Sequence, residues 1–143
     1  MNGSRIREVL LHGGAGEAFD RSVGFARQLA EAFAARLHIV YTLEDPLSGG
    51  WTAEMAAERL PEVHQAIEEE ARERLARVIP LDDQERLGVE LAIRTGPADR
   101  EVVAYAAEHP VDLAIVHAPA GEPTPAVTRA LLDDGRCAVL VLR

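Results

Sequence analysis

Apolar residues in this chain recur with two alternating periods, and that alternation restricts its fold more than any other feature. Short aliphatic runs, REVLLH (7–12), RLHIVYTL (36–43), GVELAIR (88–94), DLAIVH (112–117) and CAVLVLR (137–143), read as five strands. Between them apolar residues recur at helical spacing: Phe19, Val23, Ala26, Ala30 and Phe33 in one stretch, Leu60, Val63, Ile67, Ala71 and Leu75 in the next. Two shorter helices are expected at about 98–109, after Gly96–Pro97, and at about 125–134, with Pro110 and Gly135 as stops. Buried-type strands separated by helices pair in parallel through right-handed crossovers, with helices on both faces. The expected fold is a doubly wound α/β sandwich.

At 143 residues the chain suits one domain, residues 1–143, with a core that needs no disulfide or metal staple. Its net charge of −9 and absence of any basic block argue against nucleic acid or anionic lipid as partner, and aromatics at 4% leave little to stack on bases. All 15 basic residues are arginine, so lysine Schiff-base chemistry and a Walker phosphate loop are excluded. Residues 1–7 carry no apolar signal region and no run reaches membrane-spanning length, so the expectation is a cytoplasmic protein with no membrane partner. The single cysteine, Cys137, reads as a small core residue at the start of the last strand.

The long second helix spaces Glu68–Arg72, Glu70–Arg74 and Glu73–Arg77 for ion pairs on a solvated face. The loop EDPLSGGWT (44–52) before it holds the only tryptophan, Trp51, which reads as a hydrophobic plug at the helix start. The acidic pairs Asp82–Asp83 and Asp133–Asp134 read as solvated boundaries, and neither Ser22 nor Ser48 has a nucleophile motif around it. His38, inside a strand, and His64, beside an apolar stripe, read as packing or surface residues.

The stretch VLLHGGAG (9–16) runs from an apolar strand into three glycines, Gly13, Gly14 and Gly16. Gly14 and Gly16 begin a G-x-G-x-x-G pattern, but Phe19 stands at its third glycine. The glycines then read as a tight turn in which φ can be positive, at a helix start whose free N–H groups offer weak anion binding.

ARLHIVYTLED (35–45), VELAIRTGPADREVVAYAAEHPVDLAIV (89–116) and CAVLVLR (137–143), together with the order of elements, resemble the universal stress protein family across nearly the whole chain. The resemblance implies an adenine nucleotide alpha hydrolase-like fold, with strand order 3-2-1-4-5 and a ligand crevice at the switch between strands one and four. Its candidate lining is His12, Gly13, Gly14, Gly16, Val40, His117 and Gly121.

ATP-binding members of the family carry an acid just after the first strand, where this chain has Gly13 or Gly14. They also carry G-x2-G-x9-G-(S/T) after the fourth. Here 116–137 holds only Gly121 and Gly135, with 13 residues between them, and Arg136 follows in place of Ser or Thr. Pro119, Pro123 and Pro125 lack the N–H groups a phosphate nest uses, and Glu17 and Glu122 bring negative charge. The nucleotide motif reads as degenerate, ATP is disfavoured and no cofactor is expected.

His12 and His117 end the strands on either side of the switch, so the two imidazoles are expected to share a crevice, with Glu44 or Asp45 nearby. His12, His117 and Asp45 are weak candidates for a zinc-like ion or a pH-sensitive contact. The last strand is expected at the sheet edge, and the resemblance implies a homodimer through Ala138, Val139, Leu140, Val141 and Leu142. The reading is a dimeric stress-response or regulatory binding module without catalysis, with an unknown protein partner. Its alternatives are an ATP-binding member with weak ATPase or nucleotide-transfer activity, and a small-ligand or metal sensor using His12 and His117.

Overall fold

Strand β1 (Glu8–His12) lies at the centre of a five-stranded sheet with β2 (Arg36–Leu43), β3 (Glu90–Thr95), β4 (Leu113–His117) and β5 (Ala138–Leu142). The order is β3-β2-β1-β4-β5 and every pairing is parallel, as expected, so the direction of winding reverses between β1 and β4. The computed structural model describes residues 5–13, 17–43, 47 and 50–143; Gly14, Gly16, Glu44 and Asp45 lie outside the described residues. The crossovers are made by α1 (Glu17–Phe33), α2 (Ala53–Val78), α3 (Leu81–Leu87), α4 (Ala98–Glu108) and α5 (Ala126–Asp134).

Alternation along each strand splits the core into two layers. Val9, Leu11, Leu37, Ile39, Leu113 and Ile115 pack beneath α1 and α2, with Phe19, Val23, Ala26, Ala30 and Leu75. Leu10, Val40, Ala114 and Val116 pack on the other face with Val102 and Tyr105 of α4 and Val127 and Leu131 of α5. Cys137 is half-buried against this second layer.

The α1 stripe is buried as expected except at its end, where Phe33 is 43% exposed. Helix α3 was not expected: at seven residues it is too short for a periodic signal, and Gly88, at φ +60°, ends it in the left-handed region. Asp83, expected to be solvated, instead accepts from Arg27 at 2.7 Å and Arg86 at 3.1 Å, tying α3 to α1.

Trp51 sits just before the cap of α2, and Thr52 Oγ1 accepts from the Met55 N–H at 3.2 Å. Of the three spaced acid–base pairs on α2, Glu68–Arg72 closes at 2.8 Å. Among the described residues the other two do not, and the Arg74 guanidinium lies 5.9 Å from the centroid of the Phe19 ring. His64 Nε2 shares a hydrogen bond with Thr95 Oγ1, joining α2 to the end of β3.

Candidate functional site

In a doubly wound sheet the loops at the carboxyl ends of the two strands flanking the switch diverge, and a crevice opens between them. Here those ends are His12 and His117. His12 is half-buried, its Nε2 2.9 Å from Thr42 Oγ1, and burial holds its pKa below the ordinary 6.5.

The register separates the two histidines. Leu11 pairs with Ile115, and Leu10 with Ala114. Continuing that alternation, His12 shares the face of Leu10 and Val40 with its partner Thr42, while His117, paired with Leu142, shares the opposite face with Ile115. The expectation of one crevice shared by both imidazoles is therefore corrected: each strand end offers its ring to a different layer. Among the described residues no three His, Cys, Asp or Glu side chains are grouped to hold a metal ion. Asp45 lies outside those residues.

Gly13 has a packing reason to be glycine. Its N–H donates to the Val40 carbonyl at 2.7 Å, and a Cβ placed on it would lie 3.1–3.3 Å from the Tyr41 ring. Tyr41 is stacked at a tilt on Phe19, centroids 5.4 Å apart, and burial raises its pKa. Val40 is fully buried, so it forms the floor of the core and not a wall of the crevice.

On the far side, Gly121 adopts φ +82° in an exposed turn with open space about it. Helix α5 starts from Pro125 without a side-chain cap. In its first turn Thr128 is 2% exposed, and among the described residues its buried Oγ1 has no hydrogen-bond partner.

A second polar cluster, which the sequence reading passed over, lies toward the opposite ends of the strands. His38 is 1% exposed; its Nε2 is 2.6 Å from Glu8 Oε2 and its Nδ1 is 2.8 Å from the Tyr105 hydroxyl. A carboxylate only accepts, so Nε2–H donates to Glu8 and, in the neutral ring, Nδ1 accepts from Tyr105. His109 stacks on Tyr105 with centroids 3.9 Å apart, and the Arg94 guanidinium lies 5.3 Å from the same ring's centroid. Burial, then Glu90, pushes the Tyr105 pKa up to about 12. The available signal was His38 itself, a polar residue between Leu37 and Ile39 in an apolar strand, which must find partners when buried.

The sequence profile of the Universal stress protein family matches residues 14–143. Solved structures share the fold at low identity. UspA from Lactobacillus plantarum is 19% identical with a TM-score of 0.73, over 97% of this chain and 99% of that one. A universal stress protein in complex with cAMP is 21% identical with a TM-score of 0.63, over 97% and 98%. A universal stress protein from Archaeoglobus fulgidus is 14% identical with a TM-score of 0.62, over 99% and 97%. No curated protein sequence matches the chain. No described helix is long and apolar enough to cross a membrane. With the family profile matched over nine-tenths of its length and the sheet order the fold requires, the chain belongs to the universal stress protein family.

Proposed function

We propose that this chain is a dimeric stress-response or regulatory binding module that works in the cytoplasm without catalysis of its own. The observation that carries the reading is the approach to α5. A helix start holds a phosphate through free backbone N–H groups. Here Pro125 occupies the cap, and Pro119 and Pro123 remove two more donors from the loop leading to it. Opposite, Gly13 is closed over by Tyr41. His12 is engaged with Thr42 Oγ1, 2.9 Å from its Nε2.

The test is nucleotide content and response. Purified protein, denatured and chromatographed, is expected to release no adenine nucleotide, and neither ATP nor cAMP is expected to raise its melting temperature or be consumed. A ligand at about a hundred times its Kd stabilises by about 2.7 kcal/mol, so a shift of several degrees overturns the reading.

A nucleotide occupant is the second reading, favoured by the unpartnered hydroxyl of Thr128 in the first turn of α5 and by the neighbour in complex with cAMP. Under it, Thr128→Val weakens nucleotide binding; under the first, no nucleotide binds to either protein.

A further inference from the structure

The amino ends of β1 and β2 hold a patch whose charge opposes that of the chain. A groove of about 700 Å³ lies there beside the last turn of α1, lined by Arg5, Arg7 and Arg36 and otherwise only by aliphatic residues and Phe33. No acidic residue lines it, in a chain with 24 acidic residues against 15 basic ones.

The backbone gathers these arginines. Asp112 Oδ2 accepts from the N–H groups of Arg7 at 2.8 Å and Glu8 at 3.0 Å, which anchors the approach to β1. The Arg36 N–H donates to the Arg7 carbonyl at 2.8 Å, so the start of β2 lies alongside. Ala34, at φ +53°, turns the chain out of α1, and the Ala35 N–H returns to the Ala30 carbonyl at 2.8 Å. The end of that helix is thereby closed by backbone groups, with Phe33 left as a wall of the groove.

Local partners do not neutralise the patch. Arg36 shares an exposed ion pair with Glu90 at 3.2 Å. Among the described residues the Arg5 and Arg7 side chains have neither an acidic partner nor a hydrogen bond. The carboxyl end of α1 contributes about half a negative charge. Counting the Asp112 carboxylate in full as well still leaves two unpaired guanidinium groups in excess.

We propose that this groove binds a compact multivalent anion, of pyrophosphoryl or tricarboxylate type, held by Arg5 and Arg7 against the Phe33 wall. Guanidinium forks match phosphoryl and carboxyl oxygens two at a time, so the residue type fits the ligand class. Two adjacent guanidinium groups call for at least two anionic charges, because a monovalent ion leaves one of them unpaired. The arginines are exposed and screened by salt over about 8 Å, which sets the affinity at about 0.1–1 mM. The groove lies at the opposite ends of the strands from His12 and His117, so it is separate from the switch-point crevice and stands whether or not that crevice holds a nucleotide.

The test titrates the isotopically labelled full chain with sodium pyrophosphate and, separately, with citrate, each against sodium chloride of equal ionic strength. Either anion is expected to shift the Arg5 and Arg7 Nε–H resonances and the amides of 33–36 saturably, with no comparable shift at Gly13 or His117. The tighter of the two identifies the preferred head group, phosphoryl or carboxyl. Arg5→Gln/Arg7→Gln is expected to lose at least about tenfold in affinity. Arg100→Gln/Arg129→Gln removes the same charge from exposed positions of α4 and α5 and is expected to lose less than about twofold. All four side chains are exposed, and circular dichroism checks that both variants fold. The proposal fails if neither anion gives saturable shifts beyond the chloride control, if the shifts centre on Gly13 and His117, or if the two variants lose equally. It also fails if hexaglutamate binds the groove where neither small anion does, which would make an acidic protein segment the occupant.

Discussion

Glu8 and His38 meet across adjacent parallel strands, Oε2 to Nε2 at 2.6 Å, and the opposite nitrogen of the same ring meets Tyr105 of α4. Three elements distant in sequence are thereby fixed by one buried imidazole. Removing it strands a carboxylate and a phenol in a site where burial makes an unpaired group costly. His38→Ala is expected to destabilise by about 2–4 kcal/mol and Tyr105→Phe by about 1–2 kcal/mol, measured by urea denaturation. Equal, near-zero losses for both would show the network to be dispensable.

The contrast with the rest of the fold shows what a sequence carries. Strand β2 was legible to the residue, Arg36 to Leu43, because an apolar run bounded by polar residues has one reading. The sheet order came through the family resemblance, since periodicity says which residues are strands but not which strands are neighbours. The faces of His12 and His117 were not legible: a single residue of register decides them, and register comes from pairing. Tyr41 over Gly13 was hidden for the same reason, as the glycine answers to a ring 28 residues away in the chain. His38 was visible as a polar residue in an apolar strand, but its partners lie 30 and 67 residues away.

The lowered pKa of His12 makes stability depend on pH. Burial disfavours the charged ring in the folded state, so between its folded pKa and the ordinary 6.5 the unfolded chain binds more proton than the folded one. The contribution is present above 6.5 and is lost as pH falls through the folded value. Wild-type protein is expected to lose stability from this site on acidification below that point, and His12→Asn to show a shallower loss. Parallel pH curves from chemical denaturation would assign the acid sensitivity to other groups.

Burial, the largest cause, raises the pKa of the Cys137 thiol, which packs against the second core layer beside Val139. Thiolate is the reactive form, so a disulfide reagent such as Ellman's is expected to modify Cys137 at least about tenfold more slowly than a free cysteine at pH 7.5, and at the free rate in denaturant. Fast modification of the folded protein would mean that the thiol is activated rather than packed.

The outer edge of β5 tests the dimer. The Ala138 N–H donates to Asp112 and the Leu142 carbonyl accepts from Ala118, so residues 138, 140 and 142 direct their backbone polar groups toward β4. In a parallel pair those groups alternate, which leaves the N–H and carbonyl of Val139 and Val141 on the free edge. Two copies related by a two-fold axis can exchange these bonds antiparallel, extending the sheet across the interface. Val141→Pro removes an outward donor while leaving the bonds to β4 in place, the one position type at which a strand tolerates proline. Sedimentation at micromolar concentration is expected to show a dimer for the wild type and a monomer for Val141→Pro, with β-sheet circular dichroism unchanged. A wild-type monomer, or a dimer that survives the proline, would remove the β5 edge as the self-association surface.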